Sequence, residues 1–271
     1  MRLARLYLPD EASEVLGLEH DGSYYRVDRL DHVMGSPIPE DVAAADFSRR
    51  VLSLGTWTLE EHAAAIAGGM ELSDTVASEF RTLPPTRVRP TVLELMDGGP
   101  PLPWRVTSSV YGSGDLVMTR CRGRLLAVPA VAVILGEDLS SAPPEEAHDA
   151  FLGISLAIAW LSEDDEQDAE RFGLPRSIAR EIGTHLGPTL NVMPPTPIEV
   201  LAGTRGMTTQ VQFSLDAAQL AEAASRIAEH AELRAGDVLL SLSSTRLAPS
   251  EGEAVIVDAG ALGRLVGTVG A

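Results

Sequence analysis

Residues 122–139 read RGRLLAVPAVAVILGEDL and residues 153–164 read GISLAIAWLSED. Runs this rich in Val, Leu and Ile predict two strands, over 124–135 and 153–161, separated by a helix that opens on proline. The same signal predicts further strands over 116–120, 188–193, 198–203, 208–213, 237–242, 253–258 and 262–269. Short strands over 2–8, 14–19 and 23–28 open the chain, set off by turn residues. Helices are predicted over 40–54 and 59–67, the second with Thr58 as cap and Glu60 and Glu61 in its first turn. A stronger helix is predicted over 214–230, capped by Ser214, with Leu220, Ala224, Ile227 and Ala231 on one face. Many strands and few helices point to an α+β chain, mostly β, built as a mixed sandwich or roll. The Pro-rich stretch RTLPPTRVRP at 81–90 marks a boundary between a small N-terminal α/β domain, 1–83, and a β-rich domain, 84–271.

The bulk numbers narrow the function classes. A chain of 271 residues with 45% hydrophobic and 22% charged residues has the composition of a globular protein with a large core. The formal net charge of −18 disfavours nucleic acid and anionic membrane as partners, which both require a basic surface. All 21 basic residues are arginine, so no lysine Schiff base and no lysine general base can form. The single cysteine, Cys121, cannot make an internal disulfide, and the start MRLARLYLPD lacks a secretory apolar core. No apolar run approaches the length of a membrane span. These features predict a cytoplasmic protein.

Five stretches carry a resemblance. RPTVLELM begins at 89, SSVYGSGDLV spans 108–117, LGPTL spans 186–190, LRAGDVLLSLS spans 233–243, and EAVIVDAGALGRLV closes the chain. In order and spacing they resemble the fumarylacetoacetate hydrolase family: its opening strand, its Ser-x-x-x-Gly-Pro-Gly-Asp turn, its Gly-Pro-Trp-Leu strand start, its Leu-x-Pro-Gly-Asp-Val segment and its final hairpin. The resemblance covers roughly 84–271 and implies that family's mixed β-roll, a small-molecule substrate and a homodimer.

The departures are as informative as the matches. In the family the strand at 124–135 carries Glu-x-Glu, and the strand at 153–161 ends near a metal-binding aspartate. Here those positions are Val128, Ala130 and Ala159. Hard divalent cations require oxygen ligands, so the resemblance implies a chain with no metal and no cofactor. The segment that should bear the family's catalytic His–Glu dyad is only MDGGPPLP, at 96–103. The family's Arg-Asp after the metal aspartate falls on Glu163 and Asp164. A substrate lysine falls on Arg105, which keeps the charge and could grip a carboxylate through two parallel hydrogen bonds or form a surface ion pair.

The remaining candidates follow from the alignment. Tyr111, Ser241 and Ser243 fall on pocket-facing positions and could offer hydroxyls, or simply pack. Trp160, beside Ala159, either lines a cleft or fills the vacated space. His185, just before Gly187-Pro188, is the histidine nearest the ancestral cleft and a candidate general base near neutral pH, with Glu181 one helical turn earlier as its partner. The acidic run 163–170 reads as the solvated start of a helix. Arginines flanking Cys121 would lower its thiol pKa.

Two functions fit. The first is a metal-independent enzyme of lyase, isomerase or cyclase type, acting on a small molecule with a carboxylate or enolisable carbonyl in a specialised biosynthetic pathway. Its site would combine His185 and Glu181 as catalytic groups with Arg105, Tyr111, Trp160, Glu163, Ser241 and Ser243 against the substrate. The second is a non-catalytic protein of the same fold, which binds a ligand or pairs with an active homologue. An open hollow lined by Arg105, Tyr111 and His185 would favour the first. A space filled by Trp160 and its apolar neighbours would favour the second.

Overall fold

A computed structural model describes residues 2–20, 23–26, 76, 79–85, 91–94, 102–105, 109–117, 121, 123–172, 182–192, 197–205, 211–229 and 232–270. The helices predicted over 40–54 and 59–67 lie outside the described residues. The strands, in chain order, are β1 (Arg2–Leu8), β2 (Ser13–His20), β3 (Ser23–Arg26), β4 (Arg81–Leu83), β5 (Thr91–Glu94), β6 (Leu102–Arg105), β7 (Val110–Tyr111) and β8 (Leu116–Val117). They continue with β9 (Leu125–Leu135), β10 (Phe151–Ser162), β11 (Gly183–Asn191), β12 (Ile198–Thr204), β13 (Val211–Leu215), β14 (Val238–Leu242), β15 (Ala254–Asp258) and β16 (Arg264–Val269). The helices are α1 (Pro144–Asp149), α2 (Glu163–Phe172) and α3 (Ala217–Ala228).

Two sheets form. The larger has eleven strands, in the order β3-β2-β1-β11-β10-β9-β14-β5-β6, with β4 added beside β1 and β7 beside β11. The smaller runs β13-β12-β15-β16-β8. β1 pairs antiparallel with β11, so the first strands of the chain continue the sheet that holds β9 and β10.

The uninterrupted apolar runs of β9 and β10 have a structural cause. All eleven residues of β9 are buried, as are all of β10 after Phe151, because both faces of these central strands are covered. Side chains alternate across the strand. Leu125, Ala127, Val131, Val133, Ile154, Leu156, Ile158 and Trp160 pack toward the smaller sheet and α3. Leu126, Val128, Ala130, Ala132, Ala157, Ala159 and Leu161 pack on the opposite face with Leu3, Leu186, Leu190 and Leu240.

Within the described residues the predicted elements are present with shifted ends. α3 begins later than expected, because Ser214 is in β13, opposite Glu199, and Asp216 is the true cap. The Asp216 carboxylate accepts from the Ala218 N–H at 3.2 Å, and the Gln219 side chain accepts from the Asp216 N–H at 3.1 Å. That reciprocal capping satisfies two otherwise orphaned donors. Leu220, Ala224 and Ile227 are buried as predicted, and Ala231 lies outside the described residues. β11 starts at Gly183, five residues earlier than the predicted strand at 188. Pro188, which has no N–H to give the ladder, is tolerated because the register against β10 slips there: Ile154 opposes Asn191, whereas Leu156 opposes Gly187.

Candidate functional site

The face of β9, β10 and β11 that points away from the smaller sheet carries Val128, Ala130 and Ala159, the positions that the resemblance set against metal ligands. Val128 stands opposite Ala159, and Ala159 stands opposite Thr184. Ala130, opposite Ala157, is the next side chain along the same face. The strand register places these three side chains on one face of neighbouring strands. Val128, Ala130 and Ala159 are 2%, 0% and 4% exposed and offer only hydrocarbon. Among the described residues no group of three or more His, Cys, Asp or Glu side chains is arranged to hold a metal ion.

One polar group shares that row. Thr184 is fully buried, and its hydroxyl has no hydrogen-bond partner. A buried hydroxyl left unpaired costs roughly 1–3 kcal/mol. Sequence reasoning missed Thr184 because the strand was expected to start at 188. Had it been extended back, Thr184 would have shared the face of the buried Leu186.

Trp160 and His185 lie on the other face, toward the smaller sheet. His185 opposes Ile158, and both it and Trp160 are fully buried. The Trp160 Nε1–H donates to His185 Nδ1 at 2.7 Å, and His185 Nε2 is 2.9 Å from the Asp115 carbonyl oxygen. An indole N–H can only donate and a carbonyl can only accept. The ring is thus the neutral Nε2–H tautomer, with both nitrogens occupied. Burial pushes the imidazole below its ordinary pKa, with the hydrogen bond to Asp115 and that residue's charge pulling the other way. Tyr111 stacks on the ring, with centroids 5.2 Å apart and planes 26° apart. A Cβ on Gly267 would sit 3.0 Å from Trp160 Cζ2 and 3.1 Å from His185 Nδ1, so glycine lets β16 approach this pair without crowding it.

The structure thus separates residues that the sequence reading grouped. His185 is in a strand, not a loop or helical turn, and it meets Tyr111 and Trp160 in a packed contact instead of a hollow. Glu181 lies outside the described residues. Arg105 closes β6 opposite Thr91, and its side chain lies outside the described residues. Ser241 opposes Val131 and so faces the smaller sheet. The Ser243 N–H donates to the Pro129 carbonyl at 2.9 Å, and its hydroxyl accepts from the Thr245 N–H at 3.0 Å.

Glu163 opens α2, with its N–H donating to the Arg124 carbonyl at 2.9 Å. Glu163, Asp164, Asp165 and Glu166 occupy the first turn, at the positive end of that helix, but Glu166 is buried and paired with Arg246, so the run is not solvated throughout as expected. Cys121 departs from expectation: partial burial raises its thiol pKa, reinforced by Asp165 and Asp164, against a lowering backbone hydrogen bond.

No protein-family model and no curated protein matches this sequence. Solved structures do match. Fumarylacetoacetate hydrolase from the psychrophile Exiguobacterium antarcticum superposes with a TM-score of 0.76 at 15% identity, covering 100% of this chain and 99% of that one. The 5-carboxymethyl-2-hydroxymuconate delta-isomerase of Mycobacterium smegmatis gives 0.67 at 17% identity, again over 100% and 99%. Maleylpyruvate hydrolase from Sphingobium sp. SYK-6 gives 0.68 at 14%, over 100% and 99%. The mostly β architecture and the full-length superpositions agree: this chain has the fumarylacetoacetate hydrolase fold.

Proposed function

We propose that this chain is a metal-independent, non-catalytic protein of the fumarylacetoacetate hydrolase fold that binds a small acid bearing a carbonyl. The observation that carries the reading is the row Val128–Ala159–Thr184, an apolar wall with one buried, unpartnered hydroxyl. Valine and alanine there offer nothing that would bind a cation or activate water, and the row is enclosed by Leu3, Leu186, Leu190 and Leu240; binding of a small carbonyl acid rests on the likeness to proteins whose names specify such acids. His185 supports the same conclusion, since both of its ring nitrogens are bound and it faces away from this wall. Arg105 is the candidate anion anchor. The reading also carries a homodimer in the cytoplasm.

A second reading, a metal-independent enzyme with Glu181 and Arg105 in its site, draws support from the full-length likeness to hydrolases and an isomerase whose names specify small carbonyl acids. One experiment separates them. An acylpyruvate is titrated calorimetrically into the protein in the presence of EDTA, and the mixture is assayed for turnover. Binding without turnover fits the first reading. Turnover at an enzymatic rate establishes the second. Binding that needs Mg²⁺ overturns both.

A further inference from the structure

Residues 109–117 form a strap that touches both sheets. At one end β7 pairs in parallel with β11, with Tyr111 opposite His185. At the other end β8 pairs in parallel with β16. Between them the turn is fastened to β16: the Gly114 N–H donates to the Val266 carbonyl at 2.7 Å, and the Val266 N–H donates to the Ser113 hydroxyl at 3.1 Å. The Asp115 carbonyl is the common acceptor, taking the Thr268 N–H at 3.3 Å and the His185 Nε2–H at 2.9 Å. Besides the backbone pairing of β7 with β11, which includes the Thr184 N–H to the Ser109 carbonyl at 3.0 Å, the His185 side chain ties β11 to the middle of the strap from inside the core.

We propose that His185 is an acid-sensitive latch, which holds the strap to the β10–β11 pair when its imidazole is neutral and releases it on protonation. The chemistry is set by the two partners. A proton added at Nδ1 would point at the Trp160 N–H, placing donor against donor at the 2.7 Å contact. The buried imidazolium would lose that bond and gain no acceptor, so the pair must separate. Gly267 packs against the same ring and indole and leaves them little room to shift within the closed structure.

The groups that could hold the added charge do not offset this. The stacked Tyr111 presents the face of its ring, not a carboxylate. The Asp115 carboxylate is already taken up by Arg81 on β4 and by the Gly112 N–H at 2.8 Å. β10 and β16 present Trp160 and Gly267, neither of which titrates.

The latch has a defined sign. A histidine whose folded pKa lies below its unfolded value contributes fully above the unfolded pKa of roughly 6.5, and that contribution is lost as pH falls below it. Urea unfolding of the wild type and His185→Gln, from about pH 8 down to about pH 5, measures this directly. Glutamine can accept from Trp160 and donate to Asp115 without titrating. Below about pH 6.5 the wild-type folding constant should fall up to tenfold more per pH unit than that of the variant; parallel profiles would overturn the latch. A second measurement stands even if the variant does not fold. In ¹⁵N-histidine spectra of the native wild type, His185 should remain the Nε2–H tautomer well below pH ~6.5, and Trp160→Phe should raise its titration point. Titration of native His185 at the ordinary value, or a Trp160→Phe variant with an unchanged midpoint, refutes the proposal.

Discussion

Gly267→Ala tests the packing around the Trp160–His185 pair in the most direct way. In an ordinary strand this substitution would stabilise slightly, by roughly 0.4–1 kcal/mol, because alanine restricts the unfolded chain more than glycine does. Gly267 is not among the glycines with positive φ, so backbone strain does not enter. The new methyl carbon would lie 3.0 Å from Trp160 Cζ2, 3.1 Å from His185 Nδ1 and 3.2 Å from His185 Cε1. Those contacts are a few tenths of an ångström too short, and neither neighbour can yield freely. Both are fully buried and bonded to each other at 2.7 Å. Overpacking of this kind costs about 1–3 kcal/mol, so the net expectation is a loss of about 1–2 kcal/mol. Equilibrium urea denaturation followed by circular dichroism gives the number, provided the slope with denaturant is unchanged. The cost should shrink in a Trp160→Phe background, where the Cζ2 contact is gone, and the double-mutant cycle measures that coupling. A Gly267→Ala variant as stable as the parent would show that β16 does not press on this pair.

Thr184→Val should leave stability unchanged or raise it by about 1 kcal/mol in urea denaturation, since it removes a buried unsatisfied hydroxyl at nearly constant volume. Asp216→Ala removes the reciprocal cap of α3 and should cost about 1 kcal/mol in chemical denaturation. Trp160→Ala empties a fully buried site and should cost about 3–5 kcal/mol, readable as a lowered urea midpoint. Protein purified with added Mg²⁺ or Mn²⁺ should contain substoichiometric metal by elemental analysis, because Val128, Ala130 and Ala159 supply no ligand oxygen.

The apolar runs at 124–135 and 153–161 made the central strands legible from composition alone, because a strand covered on both faces must be apolar throughout. α3 was legible from its 3.6-residue period, and α1 and α2 from their proline and acidic starts. That Val128, Ala130 and Ala159 carry no ligand oxygen is likewise plain from the sequence, whereas their correspondence to metal positions comes only from the family resemblance. Pairing was not legible. Only the register between β9, β10 and β11 shows that Val128, Ala159 and Thr184 form one row, and that Trp160, a single residue after Ala159, faces the opposite way. His185 marks the limit most clearly. Its position before Gly187-Pro188 reads as a polar residue approaching a cleft, since local sequence cannot reveal what a side chain meets across the sheet. The tertiary structure put an indole N–H from β10 on one ring nitrogen and a carbonyl from the strap on the other. Hydrogen-bond partners brought together over 25 and 70 residues of chain separation are set by topology, and they turn a candidate base into a buried brace.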